Sequence, residues 1–360
     1  MSQARKVLSM GASYGSLLAI KLLAAGHDVT LACTPAGAAA FNANGARVRM
    51  PMRDGAESFE IDSRTLPGRL SAAKPDDVRL EGFDLVVLAM QEPQYRLPGV
   101  RELLQAVAKA RIPCMSIMNM PPPPFLRRIP GVPVDALRMC YADFDAWQAF
   151  DPAKMTLCSP DPQAFRPPGE PQNVLQVRLA TNFKAARFGS DADTAMLREL
   201  EAGIEAARFD TPDGRVELPV KLKVHESLFV PIAKWSMLLA GNYRCVGADG
   251  MRPIRDAVHG DLDASRAVYE WVARLAIDLG AAAGDLVPFD KYANAARSLA
   301  SPSSVARALA EGATAIERVD RLVQAIGAAR GQRSAAVDAI VANVDRWLET
   351  NRRRATAETV

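Results

Sequence analysis

Residues 6–33 read KVLSMGASYGSLLAIKLLAAGHDVTLAC, and they set Gly11, Ser13, Tyr14, Gly15 and Ser16 between an apolar run and a helix-forming one. A phosphate-cradling turn wants such types. One glycine makes the tight turn, a second lets backbone approach a pyrophosphate, and a third lets helix pack on strand. The helix that follows then presents unsatisfied N–H groups and the positive end of its dipole. Here Gly11 suits the turn and Gly15 the packing or the approach. Ser13 and Ser16 are small and carry hydroxyls that can donate to phosphate. The same residues also suit a purely structural turn.

Other polar side chains could do chemistry further on. At about 100° per residue, Met237, Gly241 and Cys245 make one helical stripe, and Lys234 shares that face one turn earlier. A desolvated ammonium there could serve as an acid, although helical lysines are commonly solvated, with their stems lying over apolar neighbours. Asn242 stands at the edge of the stripe and could hydrogen-bond a substrate. Asn119 follows a strand-like run, where ligands of open α/β sheets bind. His225 could titrate near neutral pH, or be structural. Glu317 reads by default as a solvated helix carboxylate. Arg244, Arg252 and Arg255 could grip a carboxylate by bidentate pairing. Trp235 reads as core.

The elements that must hold these residues follow from periodicity. Lys6–Met10 is a strand, 17–25 a helix stopped by Gly26, and 28–33 a second strand. Together they make a right-handed βαβ unit with parallel strands. Residues 83–90 and 112–118 are further strands apolar on both faces, with a helix over 100–110 between them. A hairpin is expected across 46–62, turning at Asp54-Gly55. Prolines 121–124 break the pattern, and 151–175 reads as loop, with late strands near 174–177 and 186–188. From 193 onward the pattern is helical, including the apolar stretch 224–239. The expected architecture is an α/β domain with a doubly wound parallel sheet over 1–192, Rossmann-like, and an all-helical domain over 193–360.

Bulk composition narrows the function. The 360 residues are 49% hydrophobic and 24% charged, with a net charge of +3. That is a globular composition without the basic surface of a nucleic-acid binder. The run 352–354 is basic and reads as a solvated tail. Five cysteines, never in CxxC, suggest free thiols in a reducing cytoplasm. With three scattered histidines, no metal site is expected. The opening MSQARK is polar, so no signal peptide is expected, and no apolar run nears the ~20 residues of a membrane span.

Several segments in order resemble the ketopantoate reductase (2-dehydropantoate 2-reductase) family. The opening βαβ is similar to that family's first unit, with its loop one residue short. GARVRM before the DG turn, FDLVVLAMQEPQ, SIMNM with Asn119 in its asparagine position, AKWSMLLAGN and SPSSVARALAEGATAIERVDRLVQAIG are similar to its later motifs. The middle, about 121–175, matches poorly. The resemblance implies an NADPH-dependent reductase of a 2-keto acid. Hydride passes to the carbonyl, a lysine is the general acid, and a glutamate and asparagines hold the substrate.

This sequence departs from that pattern at several places. Gln91 stands for the lysine of the valine-lysine turn and Met237 for the catalytic lysine. Gly241 and Cys245 stand for the asparagines, and Ala315 for the glutamate, with Glu317 two places on. Thr34 stands for the arginine that grips the 2′-phosphate, and no acid replaces it, so NADP is expected over NAD. The expected cofactor contacts are Gly11, Ser13, Tyr14, Gly15, Ser16, Thr34, Gln91 and Asn119. The expected catalytic residues are Lys234, Asn119 and Asn242. Two functions stay open: an oxidoreductase acting on a small carboxylate substrate other than ketopantoate, and a non-catalytic NAD(P)-binding sensor or scaffold. The apolar helices would allow a homodimer.

Overall fold

The structure, a computed structural model, describes residues 3–51, 58–211 and 214–357. The chain separates into two compact units. The first comprises Met1–Met90, Gln94–Arg128 and Asp145–Pro231; the second comprises Gln91–Pro93, Ile129–Phe144 and Ile232–Val360.

The first unit opens with β1 (Lys6–Met10), α1 (Tyr14–Ala24), β2 (Asp28–Ala32) and α2 (Pro35–Asn44). Next come β3 (Arg47–Pro51) and β4 (Ser58–Asp62), which pair antiparallel from Arg47 to Asp62. The Asp54-Gly55 turn expected between them lies outside the described residues. β5 (Leu70–Ala73), β6 (Leu85–Leu88), α3 (Val100–Ala110), β7 (Cys114–Ile117) and α4 (Pro123–Leu126) follow. The unit ends with β8 (Met155–Ser159), β9 (Gln163–Phe165), β10 (Val174–Leu179), β11 (Phe183–Ala186), α5 (Asp191–Ala206), β12 (Arg208–Thr211), β13 (Gly214–Glu217) and β14 (Leu222–His225).

Among the described residues the main sheet has the order β14-β11-β8-β7-β6-β1-β2-β5. Every neighbouring pair in it is parallel except β8 with β11. From β1 the chain builds outward through β2 to β5. It then crosses back to β6 and builds the other way, so the strand order reverses between β1 and β6. Val7, Leu8, Val86 and Val87 are wholly buried, as strands covered on both faces require. A second, four-stranded sheet has the order β4-β3-β10-β9.

Two stretches differ from the sequence reading. The segment 151–175, expected as loop, contains β8, which pairs parallel with β7. Its five residues MTLCS are apolar enough to be buried, but Pro152 and Pro160 flank them and mask the run. The stretch from 193, expected to be helical, contains β14, which closes the sheet beside β11. Of the four prolines, Pro123 and Pro124 start α4, where a missing N–H costs nothing.

The second unit is helical. After α6 (Lys234–Met237) the backbone makes a π-turn over Leu238–Asn242 and a 3-10 turn over Tyr243–Cys245. Then come α7 (Ile254–His259), α8 (Leu262–Asp278), α9 (Phe289–Ala296), α10 (Ser304–Ala310), α11 (Val319–Ala329) and α12 (Ala335–Ala357). Leu238, Leu239, Ala240 and Gly241 are buried, and a segment apolar on all sides must run through the middle of its helices. The basic run 352–354, expected in a solvated tail, continues α12. Among the described residues no helix is long and apolar enough to cross a membrane.

One buried charge stands out in the first unit. Lys21, in the apolar body of α1, is 1% exposed, and its Nζ donates to the Met50 thioether at 3.2 Å. Burial pushes its pKa well below the ordinary 10.5, and Lys221 pushes the same way. A lysine with a depressed folded pKa binds its proton more weakly in the native chain than in the unfolded one. Stability therefore falls as pH drops from about 10.5 toward the folded pKa, below which the penalty is complete. Lys21→Met should raise stability by about 1–3 kcal/mol at neutral pH. Urea unfolding of both proteins between pH 6 and about 10.5 should show the gap narrowing as pH rises. A gap independent of pH would contradict this.

Candidate functional site

The turn after β1 is set by two close approaches. Gly11 has φ +108°, and a Cβ there would lie 2.6 Å from Met90 Cγ and 2.7 Å from the Ala89 carbonyl oxygen. No other residue accepts both that backbone and that neighbour. The Gly11 N–H donates to the Ala32 carbonyl at 2.9 Å, and the Ala89 N–H donates to the Met10 carbonyl at 2.8 Å. The turn is thereby stitched to the ends of β2 and β6, on either side of β1. Gly15 is needed for another reason: a Cβ there would collide with Ser9 Oγ. Ser9 is buried, and its hydroxyl donates back to the Gly11 carbonyl at 3.1 Å. Gly15 thus takes the packing role, bringing α1 down onto β1.

The two serines separate. Ser16 is buried, and its hydroxyl donates to the Ser13 carbonyl at 2.9 Å, so it shapes the turn. Ser13 is the N-cap of α1, is half-buried, and makes no side-chain cap hydrogen bond. That leaves the Ser13 hydroxyl available at a helix N-terminus. Tyr14 Oη donates to the Pro162 carbonyl at 2.9 Å. Its hydroxyl is anchored to protein.

Along the same edge, Thr34 caps α2: its Oγ1 accepts from the Gly37 N–H at 3.2 Å. Asn119 follows β7 by two residues. The order β2-β1-β6-β7 therefore lines up Thr34, the Gly11–Ser16 turn, Met90 and Asn119 at the strands' carboxyl ends. His225 is not among them. It ends β14, which runs with β11 and against β8, so its end of the strand is the opposite edge of the sheet.

In the second unit the π-turn changes the expected stripe. Its i→i+5 pattern places Asn242, not Gly241, one turn beyond Met237. Gly241 is buried, and a Cβ there would collide with the Tyr292 hydroxyl, which donates to the Met237 carbonyl at 3.2 Å. No asparagine side chain fits at 241. Asn242 is half-buried, and its amide has no hydrogen bond among the described residues. Lys234, half-buried, is the first residue of α6. Trp235 is core, at 2% exposure.

The arginines are turned elsewhere. Arg244 is half-buried and donates to Ser265 Oγ in α8; desolvation lowers its pKa, and Arg252 adds to that. Arg252 Nε donates to the Arg244 carbonyl at 2.9 Å, and Arg255 pairs with Asp256 at 3.0 Å.

Glu317, expected as a solvated helix carboxylate, is instead 6% exposed and precedes α11. Its segment is pinned. Tyr243 Oη donates to the Glu317 carbonyl at 2.6 Å and accepts from the Val319 N–H at 3.1 Å. Arg318 bridges the buried Asp320 at 2.9 Å and Asp345 at 2.7 Å. Glu317 Oε1 accepts from the backbone N–H of Glu92 at 3.4 Å. Glu92, which the sequence reading did not single out, is itself 2% exposed, with both carboxylate oxygens accepting from the Ala142 N–H. Two carboxylates are therefore buried together beside Gln91. The sequence signal was one acid directly after the expected valine-lysine turn.

No family model matches the sequence, and no curated protein matches it. Solved structures do. A D-mandelate dehydrogenase, determined with NADH and anilino(oxo)acetate, superposes at a TM-score of 0.65 with 12% identity, covering 96% of this chain and 99% of that one. A 2-dehydropantoate 2-reductase from Methylococcus capsulatus gives 0.64 with 13% identity over 96% and 97%. A ketopantoate reductase from Ralstonia eutropha JMP134 gives 0.59 with 19% identity over 96% and 99%. Over nearly its whole length, the chain has the fold of the ketopantoate reductases and D-mandelate dehydrogenase.

The contact between Gly15 and Ser9 is testable by itself. Gly15→Ala should destabilise the protein by about 1–3 kcal/mol, as overpacking does. Ser9→Ala in the same chain should restore most of that, since the remaining Ser9 Cβ would lie at an ordinary 3.4 Å. Denaturant midpoints of the two single variants and the double variant measure the coupling. Simple additivity would show that the serine hydroxyl is not the obstacle.

Proposed function

We propose that this chain is an NAD(P)H-dependent oxidoreductase reducing a small 2-keto acid or a related carbonyl compound other than ketopantoate. The observation that carries this reading is the β1–α1 turn. It stands where strand order reverses, with glycine required at 11 and 15 and the Ser13 hydroxyl left over at a helix N-terminus. That donor set suits a pyrophosphate. The D-mandelate dehydrogenase neighbour, solved with NADH and an oxoacetate, supports the cofactor and substrate class.

In this reading Gly11, Ser13, Gly15 and Asn119 hold the dinucleotide, with Tyr14 and Ser16 shaping the loop and Thr34 and Gln91 at its margins. The bound reduced nicotinamide supplies a hydride to the substrate carbonyl. Lys234 gives the carbonyl oxygen its proton, because Met237 has none to give. Asn242, brought into line by the π-turn, orients the substrate through its amide. NADPH is favoured over NADH because Thr34, rather than an acid, follows β2. A second reading, a non-catalytic NAD(P)-binding protein, draws on Met237 and on the Tyr292 hydroxyl filling the space at Gly241.

Turnover of NADPH with a panel of 2-keto acids separates the two. Lys234→Met should lower kcat by about 10²–10⁴ with NADPH affinity unchanged. Asn242→Ala should raise KM by about tenfold. NADPH binding without turnover of any carbonyl would favour the non-catalytic reading.

A further inference from the structure

β8 and its sheet neighbour β11 are not joined directly. The chain between them leaves the main sheet as an arm, residues 160–173, which carries β9 and then leads into β10. One hydrogen bond and one close approach place the two ends of this arm at the carboxyl edge of β1 and β2. Near its start, the Pro162 carbonyl accepts from Tyr14 Oη at 2.9 Å, at the head of α1. Near its end, Gln172 Oε1 lies 3.2 Å from where a Cβ on Gly37 would stand. That same point is 3.1 Å from Thr34 Oγ1 and 3.3 Å from Cys33 Sγ.

Arg166 follows β9, midway along the arm. The arm's two acids are each paired with another cation. Asp161 pairs with Lys184 at 3.1 Å, and Glu170 with Arg49 at 2.9 Å. The Arg166 side chain is exposed as a whole, yet desolvation of its guanidinium lowers its pKa, and no carboxylate stands at ion-pair distance among the described residues. Its charge is felt at Cys33: burial pushes that thiol's pKa up, and the Arg166 guanidinium draws it back down. Arg166 lies between the arm's two anchored ends, one at the head of α1 and the other by Cys33 and Thr34 at the end of β2. In a dinucleotide fold that is where the 2′ group of the adenosine ribose falls.

We propose that Arg166 reads the 2′-phosphate of the dinucleotide, delivered by the arm rather than by the end of β2. The inference rests on the dinucleotide reading above. A guanidinium meets a phosphate dianion with two parallel charge-assisted hydrogen bonds, and a 2′-hydroxyl offers it no such partner. Thr34, engaged in capping α2, brings no charge of its own to that edge.

Calorimetric titration of the full chain with NADPH and with NADH tests this. Arg166→Met should weaken NADPH by about 10–100-fold and leave NADH within about twofold, with Arg166→Lys between. Arg178→Met, which removes a nearby exposed charge from β10, should change neither. Unchanged thermal midpoints verify that the variants fold. If Arg166→Met leaves NADPH affinity intact, or weakens both forms equally, the assignment falls and the dinucleotide reading stands. If the wild-type chain binds neither form, both fall.

Discussion

The carboxyl edge of the main sheet depends on how closely α1 lies against β1. A helix standing on a strand is ordinarily held off by its own side chains. Here Gly15 removes one, and the Ser9 hydroxyl occupies the space, turned to donate to the Gly11 carbonyl. Gly11 in turn lets the backbone pass against Ala89 and Met90 at the end of β6. Three strand ends are thereby drawn to one point by backbone alone. With no side chain at 11 or 15, the helix start offers backbone amides and the Ser13 hydroxyl beside the anchored Tyr14. Such a surface favours an anion over an apolar ligand.

Much of this was legible in the sequence, for a physical reason. β1, β2, β6 and β7 are short runs apolar on both faces, and such runs are stable only inside a sheet covered on both sides. The glycine stop at 26 and the amphipathic 100–110 bounded their helices. β8 was not legible, because its five residues sit between prolines in a polar stretch and their burial comes from β7 across the sheet. β14 was absorbed into the apolar stretch that follows it, since period alone does not separate a four-residue strand from the start of a helix. The placement of His225 at the far edge follows from the antiparallel step between β8 and β11, which no local pattern announces.

The helical unit shows the same limit at finer scale. A straight helix through Trp235 would put Gly241 in the stripe with Met237. One residue of π-turn moves Asn242 there and hands the space at Gly241 to Tyr292. Nothing in composition marks that shift. The burial of Glu92 and Glu317 was equally hidden, because each is accommodated by a backbone N–H distant in sequence: Ala142 for one, Glu92 for the other. A buried carboxylate is tolerated where such donors meet it and costly where they do not. The identities of the polar residues were readable, but their surroundings required the fold.

Hydrogen exchange of the full chain with and without saturating NADPH tests the central claim most directly, because it reports where a dinucleotide lands. Protection should appear at the backbone amides of residues 11–17 and 33–37 and beside Asn119, with β14 and the far edge of the sheet unchanged. Binding that protects none of the 11–17 amides would mean that the turn after β1 is structural only, and that the dinucleotide site is not there.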